Sequence, residues 1–147
     1  MRRSFIASLG SGFVLAAVLW TGAGPLFAHH GRGATYDGKK ELSLKGTVSQ
    51  LLWRNPHIAI FVDVKDETGK VTTWVIEHSN ISQLARLGYG KNSLQVGMEV
   101  TAVFNPGSKG EPIGLCQKII LADGKEIFQR SDLPPNLRRG AAGLVVD

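Results

Sequence analysis

The sequence predicts an all-β fold, a small OB-like barrel of five or six strands with one short helix between strands three and four. Three observations carry that prediction. Apolar residues alternate with a period of two in five separate segments, which is the signature of strands with one buried face. The one window of helical spacing falls after the third of them. Closing such strands into a barrel buries the apolar face and removes exposed edges, as OB-type barrels do. A small open barrel or sandwich of different connectivity is the competing architecture.

The elements follow in chain order. Met1-Arg2-Arg3, a mostly apolar run from Phe5 to Trp20 and a small-residue exit to Ala28 form the plan of a secretory leader, residues 1–28. Its apolar run is broken by Gly and Ser and ends at Pro25, so a cleaved leader is expected and a stable transmembrane anchor is not. Arg2-Arg3-Ser4-Phe5-Ile6 is similar to the twin-arginine export signal, although no lysine follows Ile6, and the export route stays open. Residues 29–41, rich in Gly and polar groups, read as an N-terminal arm. The barrel domain is expected over 42–130.

Its first strand carries Leu42, Leu44, Val48 and Leu52 to about Trp53, with Gly46 as a bend or bulge. Arg54-Asn55-Pro56 forces a corner, because proline fixes its own φ and restricts the residue before it. The second strand puts Ile58, Ile60, Val62 and Val64 on one face and His57, Ala59, Phe61, Asp63 and Lys65 on the other. Glu67 to Lys70 closes a hairpin. The third strand, Val71 to His78, has Trp74, Ile76 and His78 on one face. Asn80 and Gln83 suit the N-terminus of a helix bearing Ile81, Leu84 and Leu87. The fourth strand is expected from Val96 to Phe104, with Val96, Met98, Val100, Ala102 and Phe104 inward. The fifth runs Ile113 to Leu121, with Cys116 on one face with Gly114 and Lys118. Asp123-Gly124 leads into a short sixth segment, Glu126 to Phe128. Residues 131–147 lack periodicity and read as a flexible tail.

Composition narrows the function classes. Loss of Arg2 and Arg3 with the leader lowers the formal charge from +5 to +3, and the remaining charges are interspersed. Together with export, this argues for no nucleic-acid partner. Cys116 is the sole cysteine, so no internal disulfide is possible and stability rests on packing. No Ser-His-acid set, phosphate-cradling Gly loop or HExxH motif is present, so no catalytic and no organic-cofactor residues are assigned.

The histidines carry the sharpest reading. Cleavage after Ala28 gives His29 a free α-amine, with His30 next to it. An amine and a ring nitrogen on one terminal residue form a chelate, and an imidazole from a distant histidine completes an all-nitrogen set suited to copper. The amine is accessible near neutrality because its free pKa is about 8. His57 at the start of the second strand and His78 at the end of the third lie at the same open end of their hairpin, so His29, His30, His57 and His78 form the candidate metal set. The bland alternatives are a solvated arm, a corner-pinning His57 and a satisfied buried His78. Trp53, Asn55, Phe61 and Trp74 form the candidate ligand surface. Core and rim packing is the commoner use of such aromatics, and Cys116 reads as passive.

Ala28-His29-His30, Leu44-Lys45-Gly46-Thr47-Val48, Trp53-Arg54-Asn55-Pro56-His57, Val62-Asp63-Val64-Lys65-Asp66, Trp74 and Gly97 together resemble a family of small bacterial exported proteins of unknown function. The family often has Ser after the His pair, where this chain has Gly31. The resemblance implies export and one compact β domain, and names no reaction. The expected role is a periplasmic or secreted small binding module that handles copper or another metal through its histidines. A structural or accessory subunit of an exported complex, binding a protein partner, and a copper-dependent oxidative enzyme are the alternatives.

Overall fold

A computed structural model describes residues 35–139. The leader, the arm through residue 34 with His29 and His30, and residues 140–147 lie outside the described residues. Six strands form one sheet in the order β3-β2-β1-β4-β5-β6: β1 (Leu42–Leu52), β2 (Ala59–Lys65), β3 (Val71–Glu77), β4 (Glu99–Pro106), β5 (Ile113–Leu121) and β6 (Glu126–Ile127). A parallel pairing of β3 with β5, from Val75↔Ile113 to Glu77↔Leu115, closes the first five into a barrel. Helix α1 (Ile81–Arg86) lies between β3 and β4. This is the OB-like architecture that the alternation predicts.

The long β1 serves two neighbours because it bends. Its first half pairs with β4 (Leu42↔Phe104 to Thr47↔Glu99) and its second half with β2 (Thr47↔Asp63 to Leu52↔Ala59). The extra residue is Ser49, between the paired Val48 and Gln50, so the bulge lies three residues after Gly46, where it was expected. Gly46 has a different cause. A Cβ there would sit 2.5 Å from the Asp63 carbonyl oxygen and 2.8 Å from Val62, so close strand approach requires glycine.

The apolar alternation of β2 and β3 sends Ile58, Ile60, Val62 and Ile76 into the core with no exposed surface. Their hairpin turn is held by Asp66, whose carboxylate accepts from the Thr68 amide and hydroxyl and from the Lys70 amide. Those bonds, the Thr68 hydroxyl first, hold its pKa below the ordinary carboxylate value. Asn80 caps α1, its Oδ1 accepting from the Gln83 amide at 2.9 Å, and Leu84 is buried beneath.

Two strands depart from their predicted pattern. β4 starts at Glu99, because Gly97 takes φ +89° and interrupts the alternation there; Val96 and Met98 are exposed rather than inward. In β5 the register shifts, so that Val103 and Phe104 of β4 face Lys118 and Cys116. The extra residue, Gln117, changes the parity. Cys116 and Ile119 both belong to the core, and Lys118 is half-buried in an ion pair with Glu126. Gly114 makes room for Phe104, whose ring a Cβ would meet at 2.2 Å.

Both flanks are tied down where they are described. Tyr36 bridges to Gly107 and is buried against Leu115 and Ile113. After β6, a 3-10 turn (Arg130–Asp132) and helix α2 (Pro135–Arg139) follow. Leu133 is buried, and the buried Arg130 side chain donates from Nη2 to the Arg138 carbonyl at 3.0 Å. Within the stretch expected as a flexible tail from residue 131, Leu133 is buried, while residues 131, 132, 134–136 and 138 are exposed. Among the described residues no helix is long and apolar enough to cross a membrane.

Candidate functional site

The two described histidines of the candidate metal set lie on adjacent strand ends, joined by backbone bonds in which the Ile58 amide donates to the Ser79 carbonyl and the His78 amide to the Ile58 carbonyl. Their side chains have opposite surroundings. His57 is exposed, on a corner that contains a cis Asn55–Pro56 bond. Asn55 Oδ1 accepts from the Ile81 amide at 3.3 Å, tying this corner to the start of α1.

His78 has no exposed surface. Its Nε2 lies 2.8 Å from the Phe128 carbonyl oxygen, and its Nδ1 lies 2.6 Å from the Ser79 amide nitrogen. A carbonyl only accepts and an amide N–H only donates, so the ring is neutral with its proton on Nε2. The Nδ1 lone pair is already used. As a metal ligand, His78 would have to surrender one of these buried bonds, and this geometry removes it from the candidate set.

Around Phe128 a cluster of rings fills this end of the barrel. The Phe128 centroid lies 4.9 Å from Tyr89, 6.0 Å from His78 and 6.3 Å from Trp53. Phe128 itself takes φ 53°, a left-handed conformation uncommon for a bulky residue. Such a residue leaves no trace in apolar periodicity, and sequence reasoning placed Phe128 only as the end of a short segment. Arg130 was missed altogether, since a lone arginine after a strand reads as surface.

The candidate ligand surface divides. Trp74 points to the interior, 5.0 Å from the Phe104 ring, and Trp53 packs half-buried near Phe128. Phe61 is on the outer face, opposite Gln50 and Val75, and Asn55 is at the corner. Trp53, Asn55, Phe61 and Trp74 therefore do not make one surface, because Trp74 and Phe61 project from opposite faces of the β2–β3 hairpin.

Other potential ligands are engaged elsewhere. Asp37 accepts from the Lys39 amide and pairs with Lys40 at 3.5 Å. Cys116 is buried, and desolvation pushes its thiol up to about 12 against the opposing influence of the Arg130 charge. It is a protonated core residue at neutral pH, in agreement with its reading as passive. Among the described residues no group of three His, Cys, Asp or Glu side chains converges for a metal ion.

Comparison with known proteins adds a family and a fold. A model for a family of unknown function, DUF6152, matches residues 17–117. No curated protein matches by sequence. A crystal structure of the mitochondrial single-stranded DNA-binding protein of S. cerevisiae is similar over 56% of this chain and 93% of that chain, with 13% identity and a TM-score of 0.44. At this identity the likeness is one of fold. The exclusion of a nucleic-acid partner drawn from scattered charge is withdrawn, and the likeness assigns no ligand to this chain.

Proposed function

Because the chain belongs to the family of unknown function DUF6152, whose description names no reaction, we propose its role from its own residues: a small exported binding module that holds copper through His29, His30 and His57. The observation that supports this reading is the contrast between the two described histidines. His57 is exposed on a corner tied to α1, whereas both ring nitrogens of His78 are engaged by backbone. In this proposal the leader is cut after Ala28, the His29 amine and ring chelate the ion, and the His57 imidazole completes the nitrogen set. In this reading the barrel supplies a rigid seat, and the module binds and releases metal without turnover.

Calorimetric titration of Cu(II) into the processed chain beginning at His29 tests the proposal. One ion per chain is expected. His57→Ala lowers affinity at least about tenfold, since even a residue that only supports a metal ligand costs that much. One additional residue before His29 blocks the amine chelate and also weakens binding. Absence of stoichiometric binding by the correctly processed chain overturns the reading.

A further inference from the structure

Four exposed residues, Arg54 to His57, join two well-held points. Before them Trp53 packs near Phe128, and after them Ile58 has no exposed surface. Ile58 is also held by its backbone: its amide donates to the Ser79 carbonyl at 3.2 Å, and its carbonyl accepts from the His78 amide at 3.0 Å. Between these points the corner has a further attachment. Asn55 Oδ1 reaches across 26 positions of sequence to accept from the Ile81 amide.

That attachment serves both of the segments it joins. Ile81 is the first residue of α1, and the amides of a helix's first turn have no acceptor within the helix. Asn80 provides for Gln83, and Asn55, from a different part of the chain, provides for Ile81. On the corner side the bond fixes the residue two before His57. Ile58 fixes the residue after it, and the ring of Pro56 locks one of the torsions in between. Few backbone torsions are then left to His57, so its imidazole leaves the barrel from a defined point. Ordering a residue costs conformational entropy, and a ligand that is already placed avoids that cost on binding.

We infer that Asn55 is the positioning residue of the copper corner, resting on the copper reading above: its bond to Ile81 seats His57 and couples metal binding to the start of α1. Such coupling is reciprocal. Whatever factor the bond adds to copper affinity, bound copper adds to the stability of the bond. One hydrogen bond biases an equilibrium of this kind about two- to tenfold. Asn55 acts through His57 and not as a ligand.

Calorimetric titration of Cu(II) into the processed chain and its Asn55→Ala, His57→Ala and doubly substituted forms tests the coupling. Asn55→Ala is expected to weaken binding about two- to tenfold while His57 is present, and to have no further effect once His57 is replaced. In electron spin resonance Asn55→Ala should give a mixture of patterns with and without the His57 nitrogen. Asn55→Asp, which keeps the length and the acceptor, should retain the native pattern. In the metal-free chain Asn55→Ala should speed hydrogen exchange of the Ile81 amide about two- to tenfold and leave that of the Gln83 amide, which Asn80 caps, unchanged. Native affinity in Asn55→Ala, or the same loss with and without His57, overturns the inference and leaves the copper reading intact. Absence of stoichiometric binding by the native chain overturns both.

Discussion

His57 and His78 occupy neighbouring strand ends, yet one belongs to a corner and the other to a seam. The corner, Trp53 to His57, is exposed from Arg54 onward, and its Asn55 Oδ1 accepts from the Ile81 amide at the start of α1. The seam joins His78, Phe128 and Arg130 beneath the surface, where every polar atom has to be matched. The same side-chain type is therefore exposed in one place and a buried structural linker in the other. Residue type gives chemistry its potential, and burial decides how that potential is used.

The contrast is broken most severely at its centre. Phe128→Ala removes the ring against which Trp53, Tyr89 and His78 pack, and is expected to cost about 3–5 kcal/mol in urea unfolding. A cost below about 1 kcal/mol would show that the seam is not a packed unit.

The seam also has an alkaline signature. Cys116 stays protonated in the fold up to about 12, whereas the exposed thiol of the unfolded chain ionises from about 9. Above the lower value the unfolded state has lost a proton that the folded state keeps, so stability falls as pH rises between the two values. The slope is about 1.4 kcal/mol per pH unit. Stability measured from pH 8 to 11 should show this extra slope in the native chain relative to Cys116→Ala; superimposable slopes would contradict it.

A smaller effect is expected between corner and seam, at the helix that both approach. Asn80→Ala removes the cap bond to the Gln83 amide and should cost about 1 kcal/mol, read as a lower urea midpoint with unchanged m. The smallest belongs to the corner itself. His57→Ala should alter stability by no more than about 0.5 kcal/mol while weakening copper binding. A large destabilisation would make His57 a structural residue like its neighbour.

The barrel is legible in the sequence where one face of a strand is buried and the other wet. Ile58, Ile60 and Val62 announce β2 because their period coincides with their burial, and Asn80 announces α1 because a side-chain cap needs that residue type. The errors fall where one residue changes the period. Gln117 adds a bulge that turns Cys116 and Ile119 to the same side, and Gly97 uses a positive φ that displaces the start of β4. Close approaches are visible only as glycines whose reason is hidden, as at Gly46 and Gly114. For the site, position in the strand brings His57 and His78 together, but nothing in spacing separates them. That separation depends on Phe128, a residue fifty positions away with a left-handed backbone, whose carbonyl lies 2.8 Å from His78 Nε2.

Electron spin resonance of the Cu(II)-loaded processed chain tests the division between corner and seam most directly. His57→Ala should remove one nitrogen from the hyperfine pattern, and His78→Asn should leave the pattern unchanged. A pattern that loses its nitrogen with His78→Asn and survives His57→Ala would contradict the account.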